Sequence, residues 1–144
     1  MKIYLDTSCL NRIFDDQSQP RIYFESTAML VIFQLIEKNT LDLISSDTLI
    51  FENSKNPFPD RKLFVEFILS KSKSYQKIGS KIVKRAKIIE KFGIKGIDAL
   101  HLSCAEEQNA NVFISCDDKV NKRYKGKLSV LNPIEFVLKI LMEK

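Results

Sequence analysis

The sequence holds one histidine, His101, and three cysteines, Cys9, Cys104 and Cys116, with no CxxC pair among them. Zinc-ligand spacing is therefore absent. An odd set of thiols in or beside apolar segments is no disulfide framework either, and reads as reduced cysteine in a cytoplasmic protein. No apolar run approaches the roughly 20 residues of a membrane span, so no membrane partner is expected. The N-terminal residues read as a strand, not as the charged region and apolar core of a signal peptide. No repeat, low-complexity tract or linker divides the chain, and residues 1–144 read as a single domain. With 44% hydrophobic residues, that length can build a core without metal or disulfide staples.

What the chain does have is carboxylates where apolar segments end. Asp6 closes MKIYLD and Asp117 closes NVFISCD; Glu52 follows LDLISSD, and Asp98 opens the apolar helix of GIDALHLSCA. Strand-like segments (KIYL, LDLISSD, VFIS, LSVLN) alternate with helical ones, which predicts parallel strands joined by right-handed crossovers. In such a sheet the carboxyl ends of the strands form the ligand crevice, so acids supplied by separate segments converge there. Each acid also has a plain structural role open to it: Asp6 in a turn, Asp98 and Asp117 as helix caps, Glu52 on a solvated helix face. Together they are costly to keep ionised in a dry pocket unless a cation joins them. All-oxygen ligands suit Mg²⁺ or Mn²⁺.

Between these segments the pattern is mostly helical. Phe24 to Ile36 is apolar nearly all round, which marks a helix that is buried or faces another chain. Ser46 or Asp47 is placed to cap the helix carrying Glu52, and the prolines at 57 and 59 interrupt it before 61–70 resumes. KSKSYQKIG reads as a loop or hinge. Residues 80–92 form an amphipathic helix stopped by Gly93, and Pro133 opens a terminal helix over 133–143.

Three stretches resemble the PIN-domain family. LDTSCLNRIFDD is similar to its opening, a strand ending in Asp-Thr and a small polar residue; GIDALHLSCAEEQNANVFISCDDKV is similar to its second signature, a DAxH helix followed by a strand ending in Asp; LNPIEFV resembles its closing strand and helix. The resemblance implies a three-layer α/β/α sandwich with a central parallel sheet. It also implies a Mg²⁺- or Mn²⁺-dependent ribonuclease, a kind that includes VapC-like toxins paired with a protein antitoxin. Carried over by position, it makes Asp6, Asp98 and Asp117 metal-site acids and Glu52 the helix-borne acid, with Asp47 competing for that last place.

Around the acids, Thr7 and Ser115 are read as hydrogen-bonding support, Asp118 as a solvated charge at a helix start, and His101 as a histidine packed beneath its helix. The net charge of +5 is concentrated: from Lys71 to Lys95 there are nine Lys/Arg and one acid, and from Lys119 to Lys127 five more. Beside an acidic metal site, such an excess reads as a phosphate track, with Lys81, Lys84, Lys91, Lys122 and Arg123 as its RNA contacts and Tyr75 and Tyr124 as stacking rings. Two other functional classes stay open here: a PIN-like module that binds RNA or protein without cutting, and a receiver-like phosphoacceptor. The apolar helix near 24–36 predicts a homodimer.

Overall fold

The computed structural model describes residues 1–142, organised by one parallel sheet. Its strands are β1 (Lys2–Leu5), β2 (Asp42–Ser46), β3 (Ser74–Gln76), β4 (Val112–Ile114) and β5 (Ser129–Leu131), in the spatial order β3-β2-β1-β4-β5. β1 is central: Ile3 pairs with Leu43 on one side and with Val112 on the other. Ile3, Tyr4 and Leu5 are wholly buried, so both faces of the strand are covered. That is why KIYL and VFI are unbroken apolar runs and not alternating ones. The two edge strands are three residues long and largely polar or half-buried, which limits pairing with other chains.

The helices are α1 (Thr7–Asn11), α2 (Pro20–Glu37), α3 (Asp47–Ser54), α4 (Pro59–Leu69), α5 (Ser80–Glu90), α6 (Gly96–Glu107), α7 (Asp118–Arg123) and α8 (Pro133–Phe136). They flank the sheet in the expected α/β/α arrangement. From β1 the chain steps outward to β2 and β3, then crosses back to build β4 and β5 on the other side. The order therefore reverses between β1 and β4, and the crevice belongs at the carboxyl ends of those two strands. A receiver-like sheet would place the first strand between the second and third. Here β1 lies between β2 and β4, which removes the phosphoacceptor alternative.

Four local readings need correction. The stretch read as a loop, KSKSYQKIG, contains β3; a three-residue polar edge strand carries no hydrophobic pattern to betray it. α2 starts at Pro20, four residues before its apolar run, because proline fits the first helical turn. α6 begins at Gly96 and Lys95 is its N-cap, so Asp98 lies inside the first turn and does not cap the helix. The terminal helix changes after Phe136 into a π-helical stretch, Val137–Leu141, and Glu143 of the expected helix lies outside the described residues.

α2 is not buried all round. Met29, Ile32, Phe33 and Ile36 enter the core, and Phe33 meets Phe64 of α4 edge to face. Tyr23, Phe24, Leu30 and Val31 stay exposed.

Candidate active site

Asp6 follows β1 directly and caps α1, accepting from the Cys9 N–H at 3.2 Å and from the Ser8 hydroxyl. It is buried; burial lifts its carboxyl above the ordinary range, against the pull of Ser115, Ser8, His101 and the Cys9 amide. Asp117 caps α7 through the Lys119 N–H, and its own N–H donates to the Ser115 hydroxyl at 3.0 Å. Ser115 stands between these acids: its hydroxyl accepts from the Asp117 N–H and also bonds the Asp6 carboxylate. The Asp6 N–H donates to the Ile114 carbonyl, so the two acid-bearing strand ends are tied together.

Asp98 is half-buried, and no protein hydrogen bond reaches its carboxylate among the described residues. Burial and the neighbouring Asp6 push its carboxyl up to about 6, with His101 opposing and Asp117 and Glu52 adding to the rise. Asp98 thus senses three acids from three other segments. Glu52 is held from both sides: the Thr7 hydroxyl and His101 Nε2, at 2.7 Å, both donate to its Oε1. Burial pushes Glu52 up, but these donors and the His101 charge leave it below the ordinary carboxylate range. Asp47, the competing candidate, points elsewhere. It accepts from the Tyr75 hydroxyl and the Ile78 N–H beside β3, and it takes no part in raising Asp98.

The donor set suits a hard divalent cation, and Asp98 is the group with free oxygens and an unfavourable charge for one to relieve. No three His, Cys, Asp or Glu groups among the described residues stand within reach of a single ion. A cation here would draw part of its shell from water, as Mg²⁺ ordinarily does.

His101 does more than pack under its helix. It is fully buried, and its Nδ1 lies 2.7 Å from the Tyr4 hydroxyl, which lies 2.7 Å from the Ser46 hydroxyl. Burial pushes the Tyr4 phenol well above its ordinary value, so it stays a donor. A buried chain from Ser46 through Tyr4 and His101 therefore sets the position of Glu52. The sequence signal was the spacing of three between Asp98 and His101, one helical turn on the same face. Tyr4→Phe leaves buried partners short of a bond, and a loss of about 1–3 kcal/mol in urea denaturation is expected. No measurable loss would separate Tyr4 from the chain.

Behind Asp117, Arg21 forks Asp118 at 2.7 and 2.8 Å and also donates to the Cys116 carbonyl. Asp118 is half exposed at the start of its helix, as expected of a solvated charge, and is paired as well. Arg21 is in turn bound to Glu25, a fully buried acid that also takes Arg12 and Asn132. Nothing in the periodicity of α2 marked Glu25, because its partners come from distant segments.

The expected RNA contacts divide. Arg123 lines a cavity of about 160 Å³ together with Asp98, Asp117, Lys95 and Lys119, and it donates to the Gly93 carbonyl. Gly93 takes a φ of 89°, which ends the α5 region and lets that carbonyl meet Arg123. Lys122 is exposed on the same short helix. Lys84 and Lys91 are exposed on and just after α5. Lys81 instead pairs with Glu107 at 3.1 Å, at the far end of α6 from Asp98, about 14 Å along the axis at 1.5 Å per residue. Lys95 and Lys119 belong to the two basic runs but were not singled out as contacts, since charge density along a run does not say which of its members face the acids. Tyr124 turns inward, donating to Glu106 and meeting the Phe92 ring edge, so it offers no open stacking face.

A PIN domain family model matches residues 3–126, which covers all four acids. The chain belongs to the PIN domain family. Among solved structures it is similar to VapBC2 from Rickettsia felis, in a crystal structure bound to a DNA fragment from their promoter, at 19% identity and a TM-score of 0.58, over 92% of this chain and 98% of that one. It is also similar to PAE2754 from Pyrobaculum aerophilum, at 17% identity and a TM-score of 0.59, over all of this chain and 91% of that one. These likenesses concern the fold. No curated protein matches the sequence. PIN domains are generally nucleases; in this PIN chain Asp6 and Asp117 follow the ends of β1 and β4, and Glu52 and Asp98 lie on α3 and α6. No helix among its described residues is long and apolar enough to cross a membrane.

Proposed function

We propose that this PIN domain is a Mg²⁺- or Mn²⁺-dependent endoribonuclease acting in the cytoplasm, of the kind that serves as the toxin of a toxin-antitoxin pair. The observation that carries the reading is Asp98: a half-buried carboxylate with no protein donor among the described residues, raised to about 6 by burial and by three other acids. Asp6, Glu52, Asp98 and Asp117 would surround the cation, no more than two of them binding it directly and the others reaching it through its water. When bound, it supplies a water of lowered pKa and positive charge at the scissile phosphate.

The chain's own groups do the rest. Thr7 and His101 hold Glu52, while Ser8, Ser115 and the Cys9 amide hold Asp6. Arg21 pins the loop that carries Asp117. Lys95, Lys119 and Arg123 flank Asp98 and Asp117 and take the RNA phosphates on either side of the cut. Purified protein on a mixed RNA pool should cut in Mg²⁺ or Mn²⁺ and stop in EDTA. An uncut pool in both metals sinks the reading.

A second reading, RNA binding without cleavage, draws on the spacing of the acids, no three of which share one ion's reach among the described residues. The same assay separates the two. For binding itself, neutralising Lys95 and Lys119 together should flatten the salt dependence of RNA affinity, by about 0.7 in slope for each phosphate no longer neutralised. Lys81→Gln should leave that slope alone, since Lys81 faces Glu107. Equal effects from both changes would reduce the phosphate track to general surface charge.

The partners in this reading are RNA, a second copy of the chain and a protein antitoxin. Phe24 and Val31 of α2 and Ile134, Val137 and Leu138 beyond β5 line an apolar groove of about 240 Å³. Covering it between two copies gives a homodimer, with a light-scattering mass near twice the 16.6 kDa of one chain. A single-chain mass at micromolar concentration counts against it.

A further inference from the structure

On the side of the site away from Asp117, the crevice continues past Thr7 and Glu52 into an open groove of about 490 Å³, with Asn11, Asn56, Phe58 and Arg61 in its walls. We propose that this groove seats one unpaired nucleobase next to the scissile phosphate, stacked on Phe58 and read along its edge by Asn11 and Asn56. The inference rests on the endoribonuclease reading and adds to it the element that selects the base.

Phe58 has the form of a prepared stacking surface. Its ring is 53% exposed, yet it is backed by the Arg61 guanidinium at 4.5 Å from the ring centroid. Arg61 is fixed there: it donates to the Phe14 carbonyl at 2.8 Å and to Asp15 at 3.3 Å, and it also lies over the Phe14 ring. Phe14 meets Phe64, which meets Phe33 of the core, so the outer ring is supported inward through successive contacts. The backbone holds Phe58 as well, because its N–H donates to Asn56 Oδ1 at 3.1 Å and Pro59 follows it at the start of α4. A half-exposed ring held by a fixed guanidinium suits a base that has left its stack.

The two amides supply the edge contacts. Asn56 Nδ2 donates to Asn11 Oδ1 at 3.1 Å, and Asn11 Nδ2 donates to the Thr7 carbonyl at 2.9 Å. Each amide nitrogen carries two hydrogens and each amide oxygen two lone pairs, so each side chain keeps one N–H and one lone pair in hand. Their positions are set by bonds already made, which leaves the remaining donors and acceptors preorganised. Paired donor and acceptor groups are what a base edge presents. The groove is within the size range of small-ligand sites. It touches Glu52 and Thr7 directly, so a base seated in it would bring its own phosphate to the acids.

Two arms test this. In the metal-free arm, wild type and Phe58→Ala in EDTA are titrated with tetraribonucleotides of each single base, reading affinity and the side-chain amide resonances of Asn11 and Asn56. One base should bind best and move both amides, and Phe58→Ala should weaken it about 5- to 150-fold, while Phe58→Tyr keeps the affinity. In the cleavage arm, the bases flanking the cuts in a random RNA pool should lose their preference in Phe58→Ala. Unmoved amides, or an affinity and cutting pattern that ignore Phe58, overturn the proposal and make the groove a protein-contact surface. A pool uncut by wild type would sink the nuclease reading alone, because the metal-free titration decides the groove independently.

Discussion

Asp98→Asn is expected to reduce metal-dependent RNA cleavage by at least about 10²-fold, the scale on which a fixed electrostatic group acts at developing charge, while raising the melting temperature of the metal-free protein at pH 7. The change keeps shape and removes the charge that Asp6, Glu52 and Asp117 oppose. Its pH dependence has a definite sign. Released from the fold, the Asp98 carboxyl titrates near 3.8, and in the fold it titrates at about 6. Below about pH 4 both states are protonated and the charge has no effect. Between about pH 4 and 6 the folded chain keeps a proton that the unfolded chain has lost, so stability falls as pH rises through that window. Above it the penalty is complete. Thermal melts in EDTA should therefore show the variant and wild type close together at pH 4 and separated at pH 7, the variant melting higher. A variant that retains full activity, or that melts lower than wild type at pH 7, removes Asp98 from the proposed site.

Glu25→Ala should have the largest effect on stability, a loss of about 3–5 kcal/mol by urea denaturation. The Glu25 carboxylate is wholly buried and joins Arg12, Arg21 and Asn132. Removing it leaves the mostly buried Arg12 guanidinium with Asp15 as its one acidic partner among the described residues. Against a typical total of about 5–15 kcal/mol, such a loss is a large share of what keeps a domain folded. Arg21→Ala is the matched control: its head is half exposed, so the same assay should register a much smaller change. A loss below about 1 kcal/mol for Glu25→Ala would mean that water reaches the two arginines readily.

How far the sequence foretold these features depends on the range of the interaction concerned. β1 and β4 were legible because a strand covered on both faces is an unbroken apolar run, and an acid at its end stands out. Asp6 and Asp117 stood out for that reason, whereas Glu52 and Asp98 lie on helices. β3 was not, since three polar residues pair with β2 through backbone alone. His101 was placed under its helix correctly, but its bond to Glu52 joins residues 49 apart and left no local pattern. Glu25 escaped notice likewise, and Tyr124 was read as a stacking ring when it bonds Glu106, because the partners of both lie in other segments. The basic runs gave the sign of the surface charge but not its address: Lys81 turned out to serve Glu107, and Lys95 and Lys119, at the ends of the two runs, line the cavity instead.

The placement of β1 between β2 and β4 also bears on when the site comes into being. Ile3 must wait for Val112, a partner 109 positions later, and Asp117 follows that partner. Closing so long a loop is slow compared with the helix pairing that precedes it. A ribosome therefore carries a growing chain with Asp6, Glu52 and Asp98 already made while the seam that gathers them is still missing. Chains ended anywhere before Asp117 should be inert towards RNA, and activity should appear only as the last crossover is laid down.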